Sequence, residues 1–148
     1  VGLGDIVFLG ANGDGTDAFA FALLKDVANG TNPVADKGTT QGAGGGLSTT
    51  NETVYAFLGE IASLANGSAG AVTVDQLLAS INLGTAAGDI PASISATSVS
   101  LNIDNARYNG SFDYNDLPAF LLAADNPANW QTSDTAAFTL AYNSLFPV

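Results

Sequence analysis

Between Asp5 and Leu24 the sequence sets two apolar segments around a turn, and this arrangement constrains the fold more than any other feature of the chain. Asp5-Ile6-Val7-Phe8-Leu9 is a short continuous apolar run, the length of a buried strand. Gly10 to Asp17 (GANGDGTD) contains Asn-Gly and Asp-Gly, which tolerate the positive φ of tight turns. From Ala18 to Leu24, Phe19, Phe21 and Leu23 alternate with smaller residues. That period predicts a strand with its large groups on one face, and two such strands about this loop predict a hairpin.

The same two-residue period returns at Thr53–Leu58, where Val54, Ala56 and Leu58 oppose Tyr55 and Phe57. It returns again at Ser98–Ile103 through Val99, Leu101 and Ile103, and at Ala137–Tyr142 through Phe138, Leu140 and Tyr142. Thr73–Ile81 has a different signature. Thr73 and Gln76 match a Thr-x-x-Gln capping box, and Asp75 suits a helix N-terminus. Val74, Leu77, Leu78 and Ile81 then make one helical stripe, so a short helix is predicted. A second is predicted to start at Asn115 or Asp116, with Pro118 in its first turn and Phe120, Leu121 and Leu122 as its buried face. Residues 29–48 hold Pro33 and the run Gly42-Ala43-Gly44-Gly45-Gly46 and offer little to pack, which predicts a mobile Gly-rich loop. The expected fold is mainly β: a single β-sandwich domain over residues 1–148 with one or two short inserted helices.

Charge narrows the partners. Fourteen acidic residues face three cations, Lys25, Lys37 and Arg107, giving a net charge of −11. Three dispersed cations cannot form the basic footprint that phosphate contacts need, which argues against nucleic acid and anionic membrane surfaces. No apolar run approaches the roughly 18–20 residues of a membrane-spanning helix, so no membrane insertion is expected. Only 11% of residues are charged, against about 25% in an average soluble domain. A surface so poor in charge is weakly defended against self-association.

Missing residue types narrow the chemistry. The chain has no Cys, His or Met. Disulfides and thiolate metal sites are thereby excluded, as are a Ser–His triad and imidazole metal ligands. No nucleophile elbow, P-loop or zinc motif occurs, and Glu52 and Glu60 sit in no motif. The expectation is a protein that is not an enzyme. The chain starts at Val1 without an initiator Met, so Val1 is read as a processed or trimmed start. Cys-free, acidic, Lys-poor composition fits export.

Two stretches carry a resemblance. One runs Gly4-Asp5-Ile6-Val7-Phe8-Leu9-Gly10, Asn12-Gly13-Asp14-Gly15-Thr16-Asp17, Phe19-Ala20-Phe21-Ala22-Leu23-Leu24-Lys25-Asp26-Val27. The other runs from Leu101 to Gly110 (LNIDNARYNG) and on to Leu121-Leu122-Ala123-Ala124 and Asn126-Pro127-Ala128-Asn129-Trp130. Together they resemble a secreted bacterial domain with the pattern "GDIAF-G-N-DG-D-FAF … DNA-YNG … NPANW", similar to the lamin-tail type of immunoglobulin-like sandwich. The resemblance covers roughly the first 30 and last 50 residues. It implies an exported, extracellular or cell-surface setting beside adhesive and calcium-repeat modules. It implies no activity.

Asn12, Asp14 and Asp17 space oxygen donors at near-alternate positions, a pattern that can hold calcium, the one cofactor expected. The same residues equally serve turn geometry. Asp104, Asp113 and Asp116 form a looser acidic group, with Asp116 suited to capping a helix. Tyr108, Tyr114, Trp130 and Tyr142 are either core residues or a stacking surface for sugar rings. Two functions follow as expectations. The first is a homo-oligomer or polymer, assembled by strand or edge pairing into a surface filament, layer or matrix. The second is a non-catalytic module of a larger secreted enzyme, binding surface polysaccharide.

Overall fold

A computed structural model describes residues 1–14, 17–24, 51–61, 72–84, 90–112 and 116–140. Within them the protein is mainly β, with two sheets, one α-helix and two 3-10 helices. The expected mobile loop at 29–48 lies outside the described residues, as do Asp113, Tyr114 and Tyr142.

Strands β1 (Ile6–Asn12) and β2 (Ala18–Leu23) form the predicted antiparallel hairpin. Leu9 is an extra residue on β1, because Phe8 pairs with Phe21 and Gly10 with Ala20. One sheet runs β2-β1-β6-β7, all antiparallel, with β6 at Asn105–Tyr108 and β7 at Trp130–Ser133. The other runs β3-β4-β5, with β3 at Asn51–Ile61, β4 at Val72–Gly84 and β5 at Val99–Leu101. Here β3 and β4 are antiparallel while β4 and β5 are parallel. Both sheets feed one core: Leu9, Ala11 and Ala106 from the first meet Ala79, Ile81 and Leu83 from the second, each fully buried.

The helix α1 spans Leu117–Asp125 and starts where its cap predicts. Asp116 accepts a hydrogen bond from the Ala119 amide at 3.2 Å, and Pro118 stands in the first turn. Its buried residues are Phe120 and Ala124, one turn apart, while Leu122 is 69% exposed. At 3.6 residues per turn, Leu122 cannot share a face with Phe120, so three consecutive apolar residues could not all point inward.

The NPANW segment is a helix terminator. Asn126 accepts from the Ala128 amide at 3.0 Å, Asn129 Nδ2 donates to the Ala123 carbonyl at 2.8 Å, and Trp130 Nε1 donates to the Ala124 carbonyl at 2.8 Å. The last carbonyls of a helix lack intrahelical donors, and the Asn129 and Trp130 side chains supply them.

Three expectations are corrected. Thr73–Ile81 belongs to β4 and is not a helix. In the ladder with β3, Leu78 and Asp75 are extra residues, because Phe57 pairs with Leu77, Ala56 with Ala79, Leu58 with Gln76 and Gly59 with Val74. Each extra residue shifts the alternation by one. Val74 and Leu77 therefore share a sheet face at a spacing of three, which imitates a helical stripe. Second, Ser98–Ile103 shortens to Val99–Leu101, and the chain then turns at Asn102–Asp104. Third, of the strand expected at Ala137–Tyr142 the described residues 137–140 are irregular, and the last strand among the described residues is β7. On β2 the alternation holds, with Phe19, Phe21 and Leu23 on one face, because the extra residue of the hairpin lies on β1. Phe19 and Phe21 are half-buried and stack at 6.3 Å, Ala22 is buried, and Leu23 is 39% exposed.

Candidate functional site

At one end of the β2-β1-β6-β7 sheet, buried amides hold the loop in which the calcium pattern was read. Asn12 is 3% exposed. Its Nδ2 donates to the Phe138 carbonyl at 2.8 Å, and its Oδ1 accepts from the Phe138 amide at 2.9 Å. The side chain thus pairs with the backbone of the C-terminal segment as a strand neighbour would. Gly10, two residues earlier, lies under the same segment: a Cβ there would come within 2.6 Å of Leu140 and 3.0 Å of the Ala106 carbonyl oxygen. Arg107 lies over the Phe138 ring at 5.3 Å, a cation–π contact that holds the segment from the other side.

Asn105, fully buried, is the second clip. Its Nδ2 donates to Asp14 Oδ2 at 2.7 Å and to the Ser133 carbonyl at 3.0 Å, and its Oδ1 accepts from the Asp14 amide at 3.2 Å. The Gly13 amide donates to the Asp104 carbonyl at 2.9 Å. Burial, then the nearby charges of Asp14 and Asp134, hold the Asp104 carboxyl above its ordinary value. The end of the sheet is therefore electronegative.

Of the residues read as calcium ligands, Asn12 and Asp14 fall at this end and Asp17 stands just before β2, with Gly15 and Thr16 outside the described residues. The Asn12 amide is engaged with Phe138, and one Asp14 oxygen with Asn105. Among the described residues no three carboxylates gather closely enough to hold a metal ion.

The aromatic residues divide. Tyr108 and Trp130 are 2% and 8% exposed. Tyr108 packs edge-on against Phe112 at 5.1 Å and against Phe120 and Trp130 at 5.8 Å each, and its hydroxyl donates to the Ser111 carbonyl at 2.9 Å. These rings are core residues with no face open to a sugar.

A second carboxylate is set apart by burial. Asp125 ends α1, and loss of solvent holds its carboxyl above the ordinary value. A raised folded value means that the folded state binds this proton more tightly than the unfolded chain does. The ionised group therefore opposes folding at pH 7. The opposition fades as pH falls through the raised value and is gone below the ordinary value near ~3.9. Asp125→Asn is expected to raise the thermal midpoint at pH 7 and to leave it unchanged near pH 3. A gain that persists at pH 3 contradicts burial as the cause.

The β3–β4 arm exposes three large apolar side chains, Tyr55, Leu58 and Val74. Its distal half has exposed Leu58, Gly59 and Glu60 on β3 and exposed Thr73 to Gln76 on β4. Near its base, Thr97 Oγ1 donates to the Leu78 carbonyl at 2.6 Å and Ser98 Oγ accepts from the Ser80 amide at 2.8 Å, and β5 then takes over at Ile81–Leu83. Tyr55, Leu58 and Val74 are 40%, 37% and 48% exposed. Among the described residues β3 has β4 on one side and no strand on the other. At Gly59 a Cβ would run into the Thr73 carbonyl oxygen, so the two strands approach there as only glycine permits. β3 is legible in the sequence but the arm is not, because the extra residues of its partner strand imitate a helical stripe.

No helix among the described residues is long and apolar enough to cross a membrane. Set against known protein families, curated proteins and solved structures, the chain matches none of them.

Proposed function

We propose that the protein is an exported, non-catalytic structural protein whose copies join through the outer edge of β3, building a filament, layer or matrix at the cell surface. The observation that carries this reading is the 11-residue edge strand β3, which has a strand on one side only among the described residues and exposes Tyr55 and Leu58. An unpaired strand edge is a template for another strand, and proteins that must stay apart blunt such edges with short strands, bulges or inward-pointing charge. Here both extra residues of the ladder lie on β4, so β3 itself stays regular. In this reading the two sheets pack as an immunoglobulin-like sandwich, the shared core supplies rigidity, and the arm supplies the joint. The electronegative end near Asp14 and Asp104 is where calcium would bind and offset the net charge of −11.

Static light scattering of the purified chain and of the double variant Tyr55→Asp/Leu58→Asp tests this. The parent is expected to gain mass with concentration. The variant is expected to remain monomeric with an unchanged circular dichroism spectrum, because two carboxylates on the joining strand oppose desolvation. Equal association of both proteins would exclude β3 as the joint.

A further inference from the structure

We infer that a single water molecule is built into the fold between β4 and the end of α1, held by Ser80 Oγ, Ser98 Oγ and the Asp125 carboxyl. A cavity of about 10 Å³ lies between α1, β1, β4 and the start of β5, and Ser80, Thr97, Ser98 and Asp125 give it a polar side. Such a volume is about the smallest that admits one water, and a water settles only where it finds roughly two to four polar partners.

Ser80 is the observation that asks for it. The residue is 1% exposed, and its Oγ has no hydrogen-bond partner among the described residues. Its neighbours Ala79 and Ile81 are buried in the core, and a strand turns successive side chains to opposite faces, so Ser80 points the other way and lines the cavity. A buried hydroxyl without a partner carries the whole cost of leaving water. The Ser80 amide donates to Ser98 Oγ at 2.8 Å, which leaves the Ser98 O–H to donate. The Thr97 hydroxyl is spent on the Leu78 carbonyl at 2.6 Å. Asp125 is half-buried at the end of α1, and burial alone raises its carboxyl. A water here accepts from the Ser80 and Ser98 hydroxyls and donates to the Asp125 carboxyl, so all three groups are satisfied and α1 is tied to β4 at the base of the arm. Calcium takes about six to eight oxygens, more than these side chains supply.

A high-resolution crystal structure of the parent, paired with the thermal midpoint of Ser80→Ala, tests this. The expected density is one isolated peak within hydrogen-bond distance of Ser80 Oγ and of Ser98 or Asp125. Ser80→Ala keeps the backbone bond to Ser98 and removes only the hydroxyl. Its midpoint is expected to fall by about 2–4 °C, the shift that losing one net hydrogen bond makes in a chain of this size. Deleting a hydroxyl that truly has no partner does the opposite, so an unchanged or raised midpoint would overturn the inference. The absence of density beside Ser80 Oγ would overturn it too. A peak ringed by six or more oxygens would also overturn it, by identifying a metal ion in place of water.

Discussion

Phe120→Ala is expected to cost about 3–5 kcal/mol of stability, the usual penalty for emptying a buried aromatic site. Phe120 is 2% exposed and joins Tyr108 and Phe112 in one aromatic cluster, with ring centroids 5.8 Å away in each case. Tyr108 in turn meets Trp130 at 5.8 Å, and Trp130 Nε1 closes the end of the same helix. The cluster therefore fastens α1 to β6 and β7, and a hole in it loosens all three. Domains of this size are stable by only about 5–15 kcal/mol, so the loss is a large fraction of the whole. Urea unfolding followed by Trp130 fluorescence reads it as a lower midpoint. Leu122→Ala, on the same helix but 69% exposed, is expected to change the midpoint little. Equal losses for the two variants would contradict the assignment of the helix's buried face.

Asn12→Leu is expected to release the C-terminal segment. The Asn12 amide provides both a donor and an acceptor to Phe138, and leucine provides neither. Each backbone group left unsatisfied in a part-buried setting costs about 1–3 kcal/mol. Among the described residues, the Arg107–Phe138 contact and the packing of Leu140 on Gly10 also hold the segment here. Limited proteolysis is expected to cut near Phe138 faster in Asn12→Leu than in the parent. Asp14→Asn, which keeps an oxygen toward Asn105, is expected to leave that rate unchanged. If Asn12→Leu resists protease as well as the parent, the clip is not what holds the segment. The same variant separates two roles of Asn12. A clip is felt with no metal present, whereas a ligand is felt only when calcium is added.

The hairpin of β1 and β2 was legible because its signal is local: an apolar run, Asn-Gly and Asp-Gly turn chemistry, then alternation. The start of α1 was legible for the same reason, since Asp116 and Pro118 act within one turn. β4 was misread because its two extra residues are a property of pairing with β3, and no local period reveals a bulge. β6 and β7 have four residues each, too few for a period; β6 is a strand because it aligns on β1, and β7 because it aligns on β6. Asn12 illustrates the limit at the candidate site. Its residue type suits a turn or a cation, but its partner lies 126 positions away. Tyr108 and Trp130 show the reverse: of the two readings open to them, core or sugar-stacking surface, both take the core, where aromatic side chains usually go, while Tyr114 and Tyr142 lie outside the described residues.

Association through β3 is tested most directly by sedimentation velocity of the unmodified protein over a wide range of concentration, at low and physiological salt. Copies with a charge of −11 repel, and salt at 0.15 M cuts the reach of that repulsion to about 8 Å. Species heavier than the monomer should therefore grow with concentration, and more so at the higher salt. A single monomer boundary at every concentration and both salts would contradict the account.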